Sequence, residues 1–220
     1  GSDLLAAFVA GFETMAYLGL PILPDHYEAG WHATATLGTF GAAATAAALL
    51  DLTEAETHHA LTMAAPFPAG LKRNFGTATK PVHAGQAARS GVTAALLAQE
   101  GLTADAEAVS GERGFVDLYT PEDTEPGEYP LLGERWAVLE DGVGVKKFPC
   151  CYFTHAGIEA AARLADEHDL DPLAIESVHV RASPGAGDAL HHADPNTGLE
   201  GKFSMEYTIA SGLVRDRVGL

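Results

Sequence analysis

Lys80 is preceded by Asn74, Gly76, Thr77 and Thr79 and followed by Pro81 and His83, a set of residue types suited to holding an anion. The amide and hydroxyls donate hydrogen bonds, the glycine permits a close backbone approach, and the proline keeps the lysine out of a helix interior. Pro81 also suits the first turn of a helix carrying His83, whose N-terminal amides favour negative charge. A second set is formed by Lys146 and Lys147 ahead of Phe148-Pro149-Cys150-Cys151, with His155 just beyond. Both sets fall where acids are missing: residues 57–99 and 142–158 hold no Asp or Glu, in a chain that has 30 of them. Two cationic islands in an acidic chain point to a small polyanion held in a cleft between domains. The competing account is that buried, alanine-rich helices exclude charge of either sign and that the lysines are solvated or paired with surface acids. The coincidence of two windows favours a site. A third group is Gly30-Trp31-His32, with Thr34, Thr36 and Thr39 behind it. The ordinary histidine pKa permits acid or base work there, although a histidine beside tryptophan is more often a packed core residue.

Other chemistries are disfavoured. Cys150 and Cys151 are the only cysteines, and a bridge between neighbours is strained, so no disulfide framework is expected and both are read as small buried apolar residues. His58-His59 and His191-His192 with Asp194 lack the i, i+4 spacing of a helical metal site, so no metal site is expected and these are read as surface histidines. The formal net charge of −17 repels phosphate backbones and anionic lipid, which argues against nucleic-acid and membrane partners. No run of about 18 apolar residues occurs, the first residues lack a basic n-region, and cysteine is scarce, so a cytoplasmic location is expected. Abundant acids with few lysines also suit a surface kept soluble at high salt.

The elements that would carry these residues are mostly helices. Leu4, Leu5, Phe8, Val9, Phe12 and Met15 recur at three and four, predicting an amphipathic helix over 3–19, capped by Ser2 or Asp3 and ended by Gly19. Residues 33–50 are so rich in Ala, Gly and Thr that a helix there must meet its neighbours at short distance, as a central buried element. Thr53 and Glu56 form a capping box for a helix to about residue 65, and residues 83–100, closed by Gly101, form a third long helix. A short helix is expected over 104–109, capped by Thr103. Composition shifts after Gly111, so residues 1–119 are assigned to an all-helical domain, 120–135 to a linker and 136–220 to an α+β domain. In the last of these, segments 136–139 and 143–148 flank Glu140-Asp141-Gly142 as a hairpin, and 177–182 alternates as a half-buried strand. Helices are expected over 155–168 and 199–214, and Leu220 is read as falling short of the domain's end.

At these same residues the sequence resembles the MmgE/PrpD family, through GWHATATLGTFGAAATAAALLDL, NFGTATKPVHAGQAARSGVTAALLA, GERGFVDLY, KKFPCCYFTHAGIEAA and TGLEGKFSMEYTIASGL, which occur in the family's order. The resemblance implies a mainly α protein, an all-helical domain followed by a smaller α+β lid domain, both incomplete here, since family members are about twice as long. It also implies a homodimer and an active site without metal or cofactor between the domains. By motif, His32, Lys80, Lys146 and Tyr207 match the family's catalytic residues, with Lys147 a second cation. Asn74, Thr79, His83 and His155 complete the set expected around the substrate. The implied function is that of a lyase on a small tricarboxylate, with 2-methylcitrate dehydration foremost. A cis-aconitate-type decarboxylase, a dicarboxylate epimerase, and an inactive metabolite-binding or dimerisation module are the alternatives.

Overall fold

A computed structural model describes residues 1–121, 127–128 and 132–214. Its helices are α1 (Ser2–Gly19), α2 (Asp25–Glu28), α3 (Ala33–Leu49), α4 (Glu54–Ala64), α5 (Thr79–Gln99), α6 (Phe115–Tyr119), α7 (Ala137–Glu140), α8 (His155–Glu167), α9 (Gly198–Gly201) and α10 (Met205–Val214). Short 3-10 turns stand at Lys72–Asn74, Tyr152–Thr154 and Pro172–Ala174. The chain is mainly α, as expected. It divides into two compact units, one of Gly1–Arg73 and Pro81–Val143, the other of Asn74–Lys80 and Gly144–Leu220. The expected 120–135 linker lies partly outside the described residues.

In the first unit α3 is the central element. Ala35, Thr36, Leu37, Thr39, Phe40, Gly41, Ala43, Ala44, Ala46 and Ala47 are all buried, so the helix is enclosed on more than one face. Its neighbours come close because glycines meet it. A Cβ on Gly11 of α1 would lie 2.0 Å from Thr45 Oγ1 and 2.5 Å from the Gly41 carbonyl oxygen, and one on Gly91 of α5 would lie 2.4 Å from the Thr39 carbonyl oxygen. Around this contact Leu18, Ile22, Leu37, Phe40, Phe115 and Val116 form the apolar core, with the Phe40 and Phe115 rings 4.6 Å apart, edge to face. The capping box of α4 forms as expected, Thr53 Oγ1 accepting from the Glu56 amide and Glu56 Oε2 from the Thr53 amide.

The short packing distance buries only part of the apolar stripe of α1, Met15 packing against the core. Its buried residues are Ala7, Gly11, Glu13, Leu18 and Gly19, and the stripe residues Leu4, Leu5 and Phe8 are more than half exposed. The small-residue face wins because only it admits the Gly11–Gly41 approach. The helix also has no side-chain N-cap, and it is capped at its C-terminus by Leu20 rather than Gly19.

Four further expectations are corrected. The hairpin over 136–148 is instead the single turn α7: buried Glu13 accepts hydrogen bonds from the Ala137 and Val138 amides at 3.0 Å each, supplying the acceptors a helix N-terminus needs. Glu140-Asp141-Gly142 then ends that turn, with Gly142 at φ +70 and Arg135 bridging Glu140 and Asp141. Residues 104–109 do not form a helix, because Asp105 Oδ1 takes the Glu107 amide at 2.8 Å and offers the backbone a turn in its place. Segment 177–182 is extended and exposed, and among the described residues no strand pairs with it; Val178 and Val180 face α8 and α10 instead. In the second unit α8 packs on α10, Gly157 admitting the Ile209 side chain. The expected 199–214 helix is broken into α9 and α10 because buried Ser204 accepts the Tyr207 amide at 3.0 Å and starts a new helix.

Two glycines of α5 separate close approach from mere propensity. Gly91→Ala places a methyl against backbone and is expected to cost about 1–3 kcal/mol. Gly85, with nothing within 4 Å of its Cβ position, is expected to gain about 0.5–1 kcal/mol on Gly85→Ala. Urea unfolding of the two variants checks this, and equal effects would remove the packing account of α3.

Candidate active site

Lys80 is the second residue of α5 and groups with the second unit. The loop before it is shaped locally: Thr77 donates from its backbone amide and its hydroxyl to the Asn74 carbonyl, and the Thr79 amide donates to Thr77 Oγ1. These bonds turn the chain sharply enough for Lys80 to fold back over Phe75. Its Nζ lies 4.8 Å from the Phe75 ring centroid and 5.4 Å from that of Phe203, and the two rings are 5.2 Å apart. An ammonium over two ring faces is held by the rings' quadrupoles. Burial first, and then the positive charge of Lys146, pushes the Lys80 pKa below the ordinary lysine value, with Cys151 acting in the opposite sense. Among the described residues no carboxylate forms an ion pair with Lys80 or Lys146. Thr79 is exposed and Asn74 half-buried.

Lys146 donates to the Cys150 carbonyl at 2.9 Å, which pins its ammonium to the turn that follows. Lys147, the expected second cation, is instead paired with Glu159 of α8. Both cysteines are buried, as expected, and burial raises the Cys151 thiol pKa against the pull of Lys146 and Lys80. A thiol so placed stays protonated at neutral pH and is a poor nucleophile.

In the first unit His32 is the N-cap residue of α3, extended at φ −89 and ψ 96, and its side chain makes no cap bond. Its backbone is fixed by the isolated bridge between Trp31 and Leu71: the His32 amide donates to the Gly70 carbonyl at 3.0 Å and the Lys72 amide to the Gly30 carbonyl at 2.9 Å. The His32 ring, 5% exposed, is thereby brought to His83 of α5, Nδ1 to Nδ1 at 3.0 Å. Such a contact holds one proton: one ring presents Nδ1–H and the other a lone pair, and two imidazolium rings cannot share it. Lys72, in the same acid-free window, is neither solvated nor available, since it is buried over the Tyr27 ring and donates to the Tyr27 carbonyl at 2.8 Å.

Tyr207 is half exposed on α10 and lines a hollow with Pro149, Cys150, Thr197, Lys202 and Ser211, whose described lining includes neither Lys80 nor Lys146. His155 starts α8, packs against Phe148 and Tyr152, and buries an Nε2 that has no hydrogen-bond partner among the described residues.

Sequence reasoning missed two histidines. His26 is fully buried, bonding the Tyr119 carbonyl through Nδ1 and Thr36 Oγ1 through Nε2, each at 2.8 Å; burial lowers its pKa, and the neutral Nδ1–H tautomer satisfies both partners. It is a structural joint between α2, α3 and α6. His192, expected on the surface, is half-buried and bonds the Phe75 carbonyl through Nε2 at 2.9 Å. The aromatic seat of Lys80 was also missed, although Phe75 and Phe203 stand inside the motifs NFGTATK and KFSMEY that carry the resemblance. No group of three metal-ligating side chains occurs among the described residues.

The comparisons with known proteins agree with the motif reading. Residues 1–126 match the MmgE/PrpD N-terminal domain and residues 148–220 the MmgE/PrpD C-terminal domain. The cis-aconitate decarboxylase of Mus musculus is 33% identical over 229 residues, covering 97% of this chain and 45% of that protein. The Homo sapiens protein of the same name is 32% identical over 164 residues, covering 74% of this chain and 34% of its own length. That of Aspergillus terreus is 29% identical over 235 residues, covering 97% and 47%. The chain thus spans less than half the length of these relatives. With both domains matched, in order and over most of its residues, the chain belongs to the MmgE/PrpD family.

Proposed function

We propose that the protein to which this chain belongs is a lyase that decarboxylates cis-aconitate or a close unsaturated tricarboxylate. The observation that carries the reading is the pair Lys80 and Lys146, which lack a carboxylate partner among the described residues of a strongly acidic chain. The reading is supported by relatives named cis-aconitate decarboxylases, which favour decarboxylation over 2-methylcitrate dehydration. Both reactions, like epimerisation of a dicarboxylate, develop negative charge on a carbon beside a carboxylate, so all three call for the same fixed cations.

In the decarboxylation the CH2-borne carboxylate leaves as CO2. Its bonding electrons form a new terminal double bond, the original double bond shifts its pair to the outer carbon, and that carbon takes a proton, giving itaconate. Charge therefore moves from a carboxylate that departs to a carbon beside one that stays. Lys80 and Lys146 hold the remaining carboxylates and stabilise that carbanion as its enolate-like form. The His32–His83 pair is the proton source: with one ring as imidazolium and the other neutral it gives one proton to that carbon, the shared Nδ1 proton lets either ring be the donor, and water restores the proton afterwards.

Proton NMR of the full-length protein with cis-aconitate is expected to show the two vinylidene signals of itaconate growing as substrate is lost; turnover of 2-methylcitrate alone would overturn the substrate assignment. Lys80→Ala is expected to lower kcat/KM by about 10²–10³, and retention of activity within a few fold would remove that lysine from the mechanism. The depressed Lys80 pKa adds a direction in pH. The ammonium is charged below its pKa and neutral above it, so KM for the trianion is expected to rise with pH at a lower value than the ~10.4 of an ordinary lysine. An alkaline KM profile unchanged in Lys80→Arg would contradict this.

A further inference from the structure

His192 joins the two halves of the seat beneath Lys80. Its Nε2 meets the Phe75 carbonyl at 2.9 Å, and its backbone amide donates to the Phe203 carbonyl at 3.4 Å. Phe75 and Phe203 are the two residues whose rings lie under the lysine. They are 128 positions apart in sequence, so their ring contact depends on whatever ties loop 74–80 to segment 192–203. The chain makes room for this tie. Gly76 stands at φ +86, a conformation that other residues adopt only with strain, and a Cβ there would lie 2.2 Å from His192 Nε2. The next residue along the loop is thus cut back to a hydrogen atom where the imidazole lies over it.

We infer that His192 is a positioning residue for Lys80: its Nε2–H bond to the Phe75 carbonyl clamps the Phe75 and Phe203 rings into one platform and so fixes where the Lys80 ammonium is presented. A carbonyl only accepts, so Nε2 must carry the proton. Both the neutral Nε2–H tautomer and the imidazolium satisfy this, so either form of the ring can make the clamp. The other charged or titratable groups acting on Lys80 are Lys146 and Cys151. The bond to the Phe75 carbonyl is made by His192. The consequence for catalysis rests on the proposed role of Lys80 as a carboxylate-holding cation; the clamp itself does not.

The test uses the full-length protein with lysines 13C-labelled at Cε, the Lys80 signal being assigned by its loss in Lys80→Arg. His192→Gln keeps a donor at the position of Nε2, whereas His192→Asn places its donor nearer the backbone, out of reach of Phe75. The expected result is that Lys80 titrates as in the wild type in His192→Gln but moves up toward the ordinary lysine value in His192→Asn, with kcat/KM for cis-aconitate lowered about tenfold in the latter alone. Gly76→Ala, whose methyl displaces the ring, is expected to move Lys80 in the same direction. Circular dichroism identifies the folded variants, and if His192→Asn does not fold the decision passes to Gly76→Ala compared with His192→Gln. An unmoved Lys80 titration in a folded clamp-breaking variant overturns the positioning role. A moved titration with unchanged kinetics leaves the clamp standing and overturns the proposed use of Lys80 on the substrate.

Discussion

The first unit depends on how near two helices can come to α3. With a side chain no larger than hydrogen at Gly11, Gly41 and Gly91, α1 and α5 pack against its backbone rather than against its side-chain tips. Dispersion is short-ranged, so that closeness replaces the large apolar side chains an alanine-rich core lacks. The contact between His32 and His83 follows from it. His32 stands directly before α3 and His83 lies on α5 eight residues ahead of Gly91, about 12 Å along the helix axis. A 3.0 Å contact between their rings tolerates little play, so the glycine contact farther along α5 is part of what sets this histidine pair. The Trp31–Leu71 bridge supplies the other constraint by fixing the backbone at His32 itself.

Glu13 illustrates the same economy of contacts. It is an acid on the buried face of α1, where the apolar stripe pattern predicts none, and its two oxygens are used on the first amides of α7. Leaving it unpaired would cost several kcal/mol, and leaving the amides unpaired would add to that. One long-range pairing satisfies both, and it also forbids the extended conformation that local sequence favours for residues 136–139.

Legibility followed the range of the interaction. The α4 capping box, the Gly101 stop of α5 and the enclosed character of α3 are written in residues a few positions apart, and they were readable. The α1 face, the α7 turn and the split between α9 and α10 were not, because each is decided by a partner remote in sequence or by one buried hydroxyl. The site divides in the same way. Acid-free windows and motifs brought out Lys80, Lys146 and His32, since charge exclusion is visible in one dimension. They could not separate Lys146 from Lys147, because Glu159 lies one helical turn into α8, nor could they show Lys72 folded onto Tyr27. The Lys80 seat was hidden because aromatic residues next to a lysine carry no signature until the loop turns.

Lys147 and Lys80 together explain why acids are absent from these windows. Wherever a carboxylate comes within reach, as Glu159 does for Lys147, a lysine is neutralised and its charge is spent on an exposed bridge that contributes about 0–1 kcal/mol. A ring face under Lys80 offers a comparable stabilisation, about 0.5–2 kcal/mol depending on burial. Stability alone therefore does not choose between an acid and an aromatic at that place. They differ in what they leave behind. A carboxylate partner would occupy the donor hydrogens of the ammonium and compete with any incoming anion, whereas a ring holds the ammonium by its charge and leaves its N–H groups directed outward. Seating a cation on phenylalanine and excluding acids from the segments around it fixes the position of a charge while keeping it available, which is what a site for a polycarboxylate requires.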